Sequence, residues 1–345
     1  MNTVPAERPE ASCPEAGRTP SPSPPPSVGL TGHLRKVYYT LKPFLPRTLL
    51  IHLRRTFALM RKMKYAHVWP IDPSCGRLPA GWPGWPDGKT FALVLTHDVE
   101  TAKGQNKVKA LAAVEMELGV RSSFNFVPER YAVSPELRQW LTDRGFEVGV
   151  HDLNHDGRLF SSAKQFLDRS KHINRYIKEW NVKGFRAGAM HHNLEWIGHL
   201  DVEYDLSTFD TDPFEPQPDG MGTIFPFLVP RPHGGPYVEM PYTLAQDFTV
   251  FILFGERSIR LWQHKVDWIA RHGGMALLNV HPDYIEFSGS KPASGTYAID
   301  KYQQFLSYCL TKYGNDYWNA LPSAVARFVL EGPGAGGTGG ITRNG

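Results

Sequence analysis

The chain has little cysteine: Cys13, Cys75 and Cys309 are the only three among 345 residues, and none lies close to another. An odd, widely separated set excludes a disulfide framework and a thiolate metal site. Long apolar runs are missing too. Nothing approaches the ~18 consecutive apolar residues of a membrane span, and the start, Met-Asn-Thr-Val-Pro-Ala-Glu, lacks the apolar core of a secretory leader. A soluble cytoplasmic protein is the expectation. Acids are absent from one stretch: between Arg35 and Lys64 stand nine Lys/Arg and no Asp or Glu. Subtracting those nine from the net charge of +4 leaves the remainder at −5, so a mildly acidic body carries a basic N-terminal extension. No groove-reading motif accompanies the basic stretch, which argues against nucleic acid as a partner.

Hydrophobic content of 41% and aromatic content of 12% are ample for a packed core, and the length suits one large α/β barrel or two ordinary domains. Four segments are expected. Residues 1–33, rich in Pro, Ser, Glu and Ala, cannot bury enough apolar surface to order themselves. Residues 34–84 combine a basic helical segment with a Trp/Pro-rich strap holding Trp69, Trp82 and four of the five prolines between 67 and 90. Residues 85–331 form the main domain, and 332–345 a Gly-rich tail. From Arg47 to Tyr65 the pattern fits an amphipathic helix. It reads either as attachment to an anionic membrane surface or, preferred, as a helix packed on the body with its cations reaching solvent.

From residue 91 onward strands alternate with helices. Strands are expected at 91–97, 122–127, 147–151, 184–186, 204–208, 237–240 and 275–281. Helices are expected near 105–118, 135–144, 163–180, 193–199 and 258–271, with a last one at 300–310. The pattern means a parallel barrel or a doubly wound sheet, with no internal repeat.

The chemistry collects where these strands end, which is where ligands bind in such architectures. The first strand runs into Asp98 and Glu100, two apart and so able to share a face. The third opens into His151 and His155, whose i, i+4 spacing would let both imidazoles converge on one ion on a helical turn. One carboxylate and two imidazoles suit a metal site that keeps positions open for water and substrate. Arg186 ends the fourth strand and could orient a carboxylate by a bidentate pair; His191 and His192 beyond it read as loop residues. Asp205, Asp210 and Asp212 close another strand, most simply as turn formers. His281, at the end of the 275–281 strand, is a candidate general acid.

These segments resemble the polysaccharide deacetylase superfamily (carbohydrate esterase family 4, the NodB-homology domain) from about Trp85 to Tyr284. The motifs that carry the likeness are Thr96-His97-Asp98-Val99-Glu100, His151-Asp152-Leu153-Asn154-His155, Arg186-Ala187-Gly188-Ala189, the acids of Asp205–Asp212, and Leu278-Asn279-Val280-His281. The first motif matches a branch carrying His-Asp-Val-Asp/Glu. The resemblance implies a deformed (β/α)7 barrel and a divalent cation, zinc first, held by Glu100, His151 and His155. It implies Asp98 as base, Arg186 tethering Asp98, and His281 as acid oriented by Asp210, with His97, Asp152 and Asp212 as substrate contacts. The implied activity is metal-dependent hydrolysis of non-peptide C–N bonds, with N-acetyl removal from an amino sugar or glycan precursor as the leading reading. The alternatives are hydrolysis of a non-sugar amide or ureide, and a non-catalytic glycan-binding barrel. The third motif lacks the family's Pro and Tyr, which weighs against sugar specificity more than against C–N hydrolysis.

Overall fold

The computed structural model describes residues 47–289 and 292–332. The expectations for the Pro/Ser-rich start and most of the Gly-rich tail lie outside the described residues.

Helix α1 (Arg47–Lys62) comes first, followed by an irregular strap. The barrel begins with β1 (Phe91–Val99), a short turn and α2 (Val108–Glu117), then β2 (Ser123–Phe126), α3 (Pro135–Thr142), β3 (Glu147–His151) and α4 (Ala163–Glu179). Next come β4 (Gly184–Arg186), α5 (Leu194–Ile197), β5 (Tyr204–Asp205), β6 (Phe227–Val229), β7 (Tyr237–Glu239) and a π-helical turn at Phe248–Leu253. The chain continues through α6 (Arg260–His272), β8 (Met275–Asn279), β9 (Ile285–Glu286), β10 (Tyr297–Ala298), α7 (Asp300–Tyr313), β11 (Tyr317–Asn319) and α8 (Pro322–Glu331). In the main sheet only β6 runs antiparallel, to β7. Strands β1 to β5 and then β7 pair in order, β8 pairs the other edge of β1, and a bridge from Leu244 to Leu278 links the run after β7 to β8.

The expected last helix at 300–310 is not the last: β11 and α8 follow it. β11 adds to the first three residues of β1, where β2 has not yet begun to pair. Its three residues, Tyr-Trp-Asn, are too short a run to stand out as a strand.

Side-chain parity on the strands decides what faces the site. On β1, Phe91, Leu93 and Leu95 point outward into the layer beneath the helices, each contributing roughly 1.5–3 kcal/mol by its burial, while Ala92 and Val94 point into the barrel. Thr96, Asp98 and Glu100 continue the inward series. Asn125, His151, Arg186 and Asn279 occupy the same inward phase on β2, β3, β4 and β8, opposite Phe124, Val150, Phe185 and Leu278 in the outer layer. Two glycines make room for this layer. A Cβ at Gly149 would stand 2.2 Å from the Asn125 Oδ1, and one at Gly184 1.9 Å from the Tyr204 ring.

At the amino ends of the strands, Trp82 and Trp85 pack with Phe225, Trp318 and Phe328. The strap is tied down elsewhere by Trp69 against Phe214 and Phe254, and by buried Lys265, whose ammonium donates to the Pro70 carbonyl. Helix α1 lies against the π-helical turn: Ala58 is buried, Lys62 pairs with Glu256 at 2.8 Å, and Arg54 lies 4.9 Å from the Phe248 ring.

Candidate active site

The carboxyl ends of the strands hold a polar layer inside a largely apolar barrel. Asp98 is at its centre and 2% exposed. Its Oδ1 accepts from Asn125 Nδ2 at 3.1 Å and Arg186 Nη1 at 3.2 Å, and its Oδ2 accepts from Asn279 Nδ2 at 2.8 Å. Oδ2 also stands 3.9 Å from the Nε2 atoms of both His151 and His281. Burial pushes this carboxyl up, but Arg186, His151, His281 and the Asn125 hydrogen bond together outweigh it, holding Asp98 well below the usual carboxylate range and ionised. Arg186 is fully buried, fixed by Nε to the Leu206 carbonyl and Nη1 to Thr96 Oγ1, so Asp98 has a single well-defined pose.

Glu100, His151 and His155 form a second group: one ligand atom from each lies within 4.8 Å of the others. His151 Nδ1 donates to the Arg186 carbonyl at 3.1 Å, which leaves Nε2 as a lone-pair donor, and that buried Nε2 has no hydrogen-bond partner. A buried, unpartnered imidazole nitrogen aimed at a carboxylate and a second imidazole is what a cation would satisfy. Glu100 Oε1 stands 3.4 Å from His155 Nε2 and its Oε2 accepts from Tyr284 at 3.2 Å. Burial raises the Glu100 carboxyl, and His155, His281, His151 and Arg130 bring it down to about 2. Glu100 accepts one hydrogen bond, from Tyr284, against three on Asp98, so Glu100 is the carboxylate with more capacity for an ion.

The histidine pair converges by a route different from the expected helical turn. Asp152 and His155 both have left-handed φ, 55° and 54°, so a tight loop brings the two rings to 4.8 Å centroid separation. His155 Nδ1 lies 2.9 Å from Arg130 Nη1. Arginine can only donate, so in this arrangement Nε2 carries the ring proton toward Glu100. Ligation through Nε2 requires that proton to leave and Arg130 to turn outward. Arg130→Gln is accordingly expected to tighten divalent-metal binding several-fold in a competition titration against a chromophoric chelator; unchanged affinity would mean that Arg130 does not compete with the metal.

His281 sits across from this group with Nδ1 2.7 Å from Asp247 Oδ1 and its backbone N–H donating to Asp247 Oδ2 at 2.9 Å. Tyr297 donates to the same Oδ2 at 3.0 Å. Burial disfavours the imidazolium, but the Asp247 charge and hydrogen bond, helped by Glu100 and Asp98, push His281 up to about 10. It is cationic at neutral pH, with Nε2–H turned toward Asp98.

Four of the expected roles need correction. Asp210 does not orient His281; it is buried against Lys265 of α6 at 2.5 Å, the same lysine that donates to the Pro70 carbonyl of the strap, and Asp247 orients the histidine instead. His97 lies on the outward phase of β1, with Nε2 2.8 Å from Glu115 on α2 and Nδ1 3.0 Å from the Val280 carbonyl, so it cannot meet a substrate. Asp152 is buried beneath the Gly188 turn, its Oδ1 accepting from Leu153 N at 2.6 Å. Asp212, 1% exposed, faces Glu215 across the Tyr242 hydroxyl, which lies 2.8 Å from one acid and 3.0 Å from the other. One phenolic proton cannot serve two carboxylates, so one acid keeps its own. Burial and then the neighbouring Glu215 push Asp212 up to about 8.

Sequence reading missed Asp247, Asn125, Asn279 and Gln246. The last accepts from Asn279 at 2.9 Å and donates to Glu215 at 2.6 Å, linking that acid pair to Asp98. Inward parity from Asp98 points to Asn125 and Asn279, one on each flanking strand. Asp247 has no such signal: it lies beyond the Leu244–Leu278 bridge and caps the π-turn at Phe248–Leu253, an element that often marks function but leaves no period in the sequence.

The sequence matches no protein-family profile and no curated protein. Solved structures do match. A Mycobacterium smegmatis protein assigned to the polysaccharide deacetylases aligns at a TM-score of 0.56 with 20% identity, over 73% of this chain and 94% of that one. PuuE allantoinase aligns at 0.54 with 15% identity, over 72% and 93%. A Pseudomonas aeruginosa PAO1 protein, likewise assigned to the polysaccharide deacetylases, aligns at 0.51 with 15% identity, over 73% and 96%. The chain therefore has the NodB-homology fold of the polysaccharide deacetylases, the deformed α/β barrel that the resemblance implied.

Proposed function

We propose that this protein is a metal-dependent hydrolase of non-peptide C–N bonds that removes N-acetyl groups from an amino sugar or glycan precursor. The observation that carries the reading is the unpartnered His151 Nε2 grouped with Glu100 and His155, with ionised Asp98 and cationic His281 beside the group. Glu100, His151 and His155 would hold the cation, zinc first by the imidazole-rich donor set. When bound, it would polarise the amide carbonyl and lower the pKa of water toward ~7.

The chain's own groups supply the proton inventory. Asp98, held ionised by its three hydrogen bonds, takes the proton from the attacking water. Arg186, Asn125 and Asn279 fix that carboxylate, so no reorganisation is needed as its charge changes. His281 gives its Nε2 proton to the leaving nitrogen as the C–N bond breaks, and Asp247 stabilises the imidazolium until then. One proton is taken and one is given, so the pair returns to its starting state once Asp98 passes its proton to His281. Acetate and a free amine are the products.

The test is acetate release from N-acetylated amino-sugar oligomers by the purified full chain, with and without chelator, alongside elemental analysis. Stoichiometric divalent metal and chelator-sensitive acetate release are expected, and His151→Ala should lose both together. Metal lost on His151→Ala with acetate release retained would overturn the assignment. Cleavage of a cyclic ureide without acetate release would move the substrate to the non-sugar amides.

A further inference from the structure

Helix α1 is fastened to the barrel by one face and presents the other to solvent. Ala58 is buried, and Arg54, Lys62 and Tyr65 are partly covered on the attached face, with Lys62 paired to Glu256 and placed 4.5 Å from the Phe254 ring. The outer face carries Thr56, Leu59 and Met60, and the turn that follows the helix adds exposed Met63 and Lys64; Arg55 is exposed at the edge, with its guanidinium turned back against Gly255. Leu59, Met60 and Met63 are 42%, 68% and 88% exposed. The other large apolar side chains exposed among the described residues are Leu78, Leu167, Leu228 and Leu330, one each from the strap, α4, β6 and α8. Three within five residues is a patch, and a patch of this kind calls for an occupant.

Charge selects the occupant. The stretch from Arg35 to Lys64 holds nine cations and no acid, while the remainder of the chain is net negative. A protein partner would need to be both acidic and apolar at the same place, and nucleic acid takes up apolar side chains only by opening its base stack. An anionic lipid surface supplies both at once: headgroup charge for Lys64, and acyl chains for Leu59, Met60 and Met63. Among the described residues no helix is long and apolar enough to cross a membrane, so the contact is with the surface. The helix is also coupled to the site. It packs on the π-helical turn that begins directly after Asp247, and Arg54 lies over Phe248 in that turn. We propose that the outer face of α1 docks the protein on an anionic bilayer, which brings the mouth of the barrel to substrates held at that surface.

Co-sedimentation of the full chain with vesicles tests this without reference to catalysis. Binding is expected to vesicles of phosphatidylcholine with a quarter phosphatidylglycerol, to fail on pure phosphatidylcholine, and to weaken as salt rises. The double variant Met60→Ser, Met63→Ser should lose about tenfold in bound fraction at limiting lipid, with its melting temperature and its activity on a soluble substrate unchanged. Lys64→Ser should weaken binding and lessen the salt dependence. Equal binding to neutral vesicles, or undiminished binding of the methionine variant, would overturn the proposal. So would a dimer of the wild-type chain that those two serines convert to monomer, or binding to oligonucleotide that they abolish.

Discussion

Asp98→Asn is expected to cut acetate release by at least about a thousandfold and, unlike an ordinary active-site change, to destabilise the protein as well. The two effects share one cause. The carboxylate accepts from Arg186, Asn125 and Asn279 at once, and an amide of the same shape has only one accepting end. If the new oxygen stays with Arg186 and Asn125, the new NH2 faces the NH2 of Asn279, donor against donor. Asn279 cannot simply turn over, because its oxygen accepts from Thr96 and its nitrogen donates to Gln246. Arg186, fully buried, meanwhile loses its counter-charge. Breaking a buried pair from one side costs about 3–5 kcal/mol, which for a chain of this size lowers the melting temperature by on the order of 10 °C.

The pH dependence separates this account from a general packing loss. Asp98 has a depressed pKa in the folded state, so its contribution to stability is complete above its unfolded value of about 4 and is lost only as pH falls through the lower folded value. The difference in melting temperature between wild type and Asp98→Asn should therefore be constant through neutral pH and narrow below about pH 4. A difference that persists at acid pH would mean that shape rather than charge is lost. Thermal melts across a pH series decide the stability claim, and acetate release decides the catalytic one.

Much of the barrel was legible because its strands are short and apolar and hand over abruptly to ionisable residues. β3 and β4 fall where the pattern put them, at Glu147–His151 and Gly184–Arg186. Parity could have carried the reading further. His97 adjoins Asp98, and neighbours on a strand face opposite ways, so once Asp98 is inside, His97 must be outside. Its partner Glu115 comes from a helix facing that outer side, so the contact itself is a tertiary fact. Asp210 and Asp247 show the limit of pattern reading. Both are acids beyond a strand end, and which one reaches His281 depends on where Lys265 and the π-turn lie, neither of which has a period to detect. The two histidines do meet, yet not on the helical turn their spacing suggested; Asp152 and His155 take left-handed φ, for which Asp and His are only a weak compositional sign.

Asp247→Asn should lower kcat by about a hundredfold at pH 8 and change the shape of the pH–rate profile, which a merely structural residue would not do. Asp247 contacts His281 on the nitrogen away from the reacting side, so its substitution removes the charge that stabilises the imidazolium, together with one of the accepting ends that hold His281, Phe248 and Tyr297. Burial then acts unopposed by its main counterweight, and the imidazole loses its proton at lower pH. In the wild type the alkaline limb of kcat is expected to follow His281, pushed up to about 10; in the variant that limb should move toward or below the ordinary 6.5. A cation held by Glu100 and the two histidines would reduce the help His281 draws from Glu100, while the Asp247 share, made at the far nitrogen, would persist. Stability must follow the same linkage. With the folded value above the unfolded one, the stabilisation is fully present below about pH 6.5 and disappears as pH rises through about 10, so wild type and variant should differ most in neutral and acid solution and converge in alkali. Combining Asp247→Asn with His281→Ala should cost little more than His281→Ala alone, because the aspartate acts only through the histidine. Additive losses, or an alkaline limb that stays where it is, would remove His281 from the role of oriented acid and leave the leaving nitrogen to be protonated from solvent.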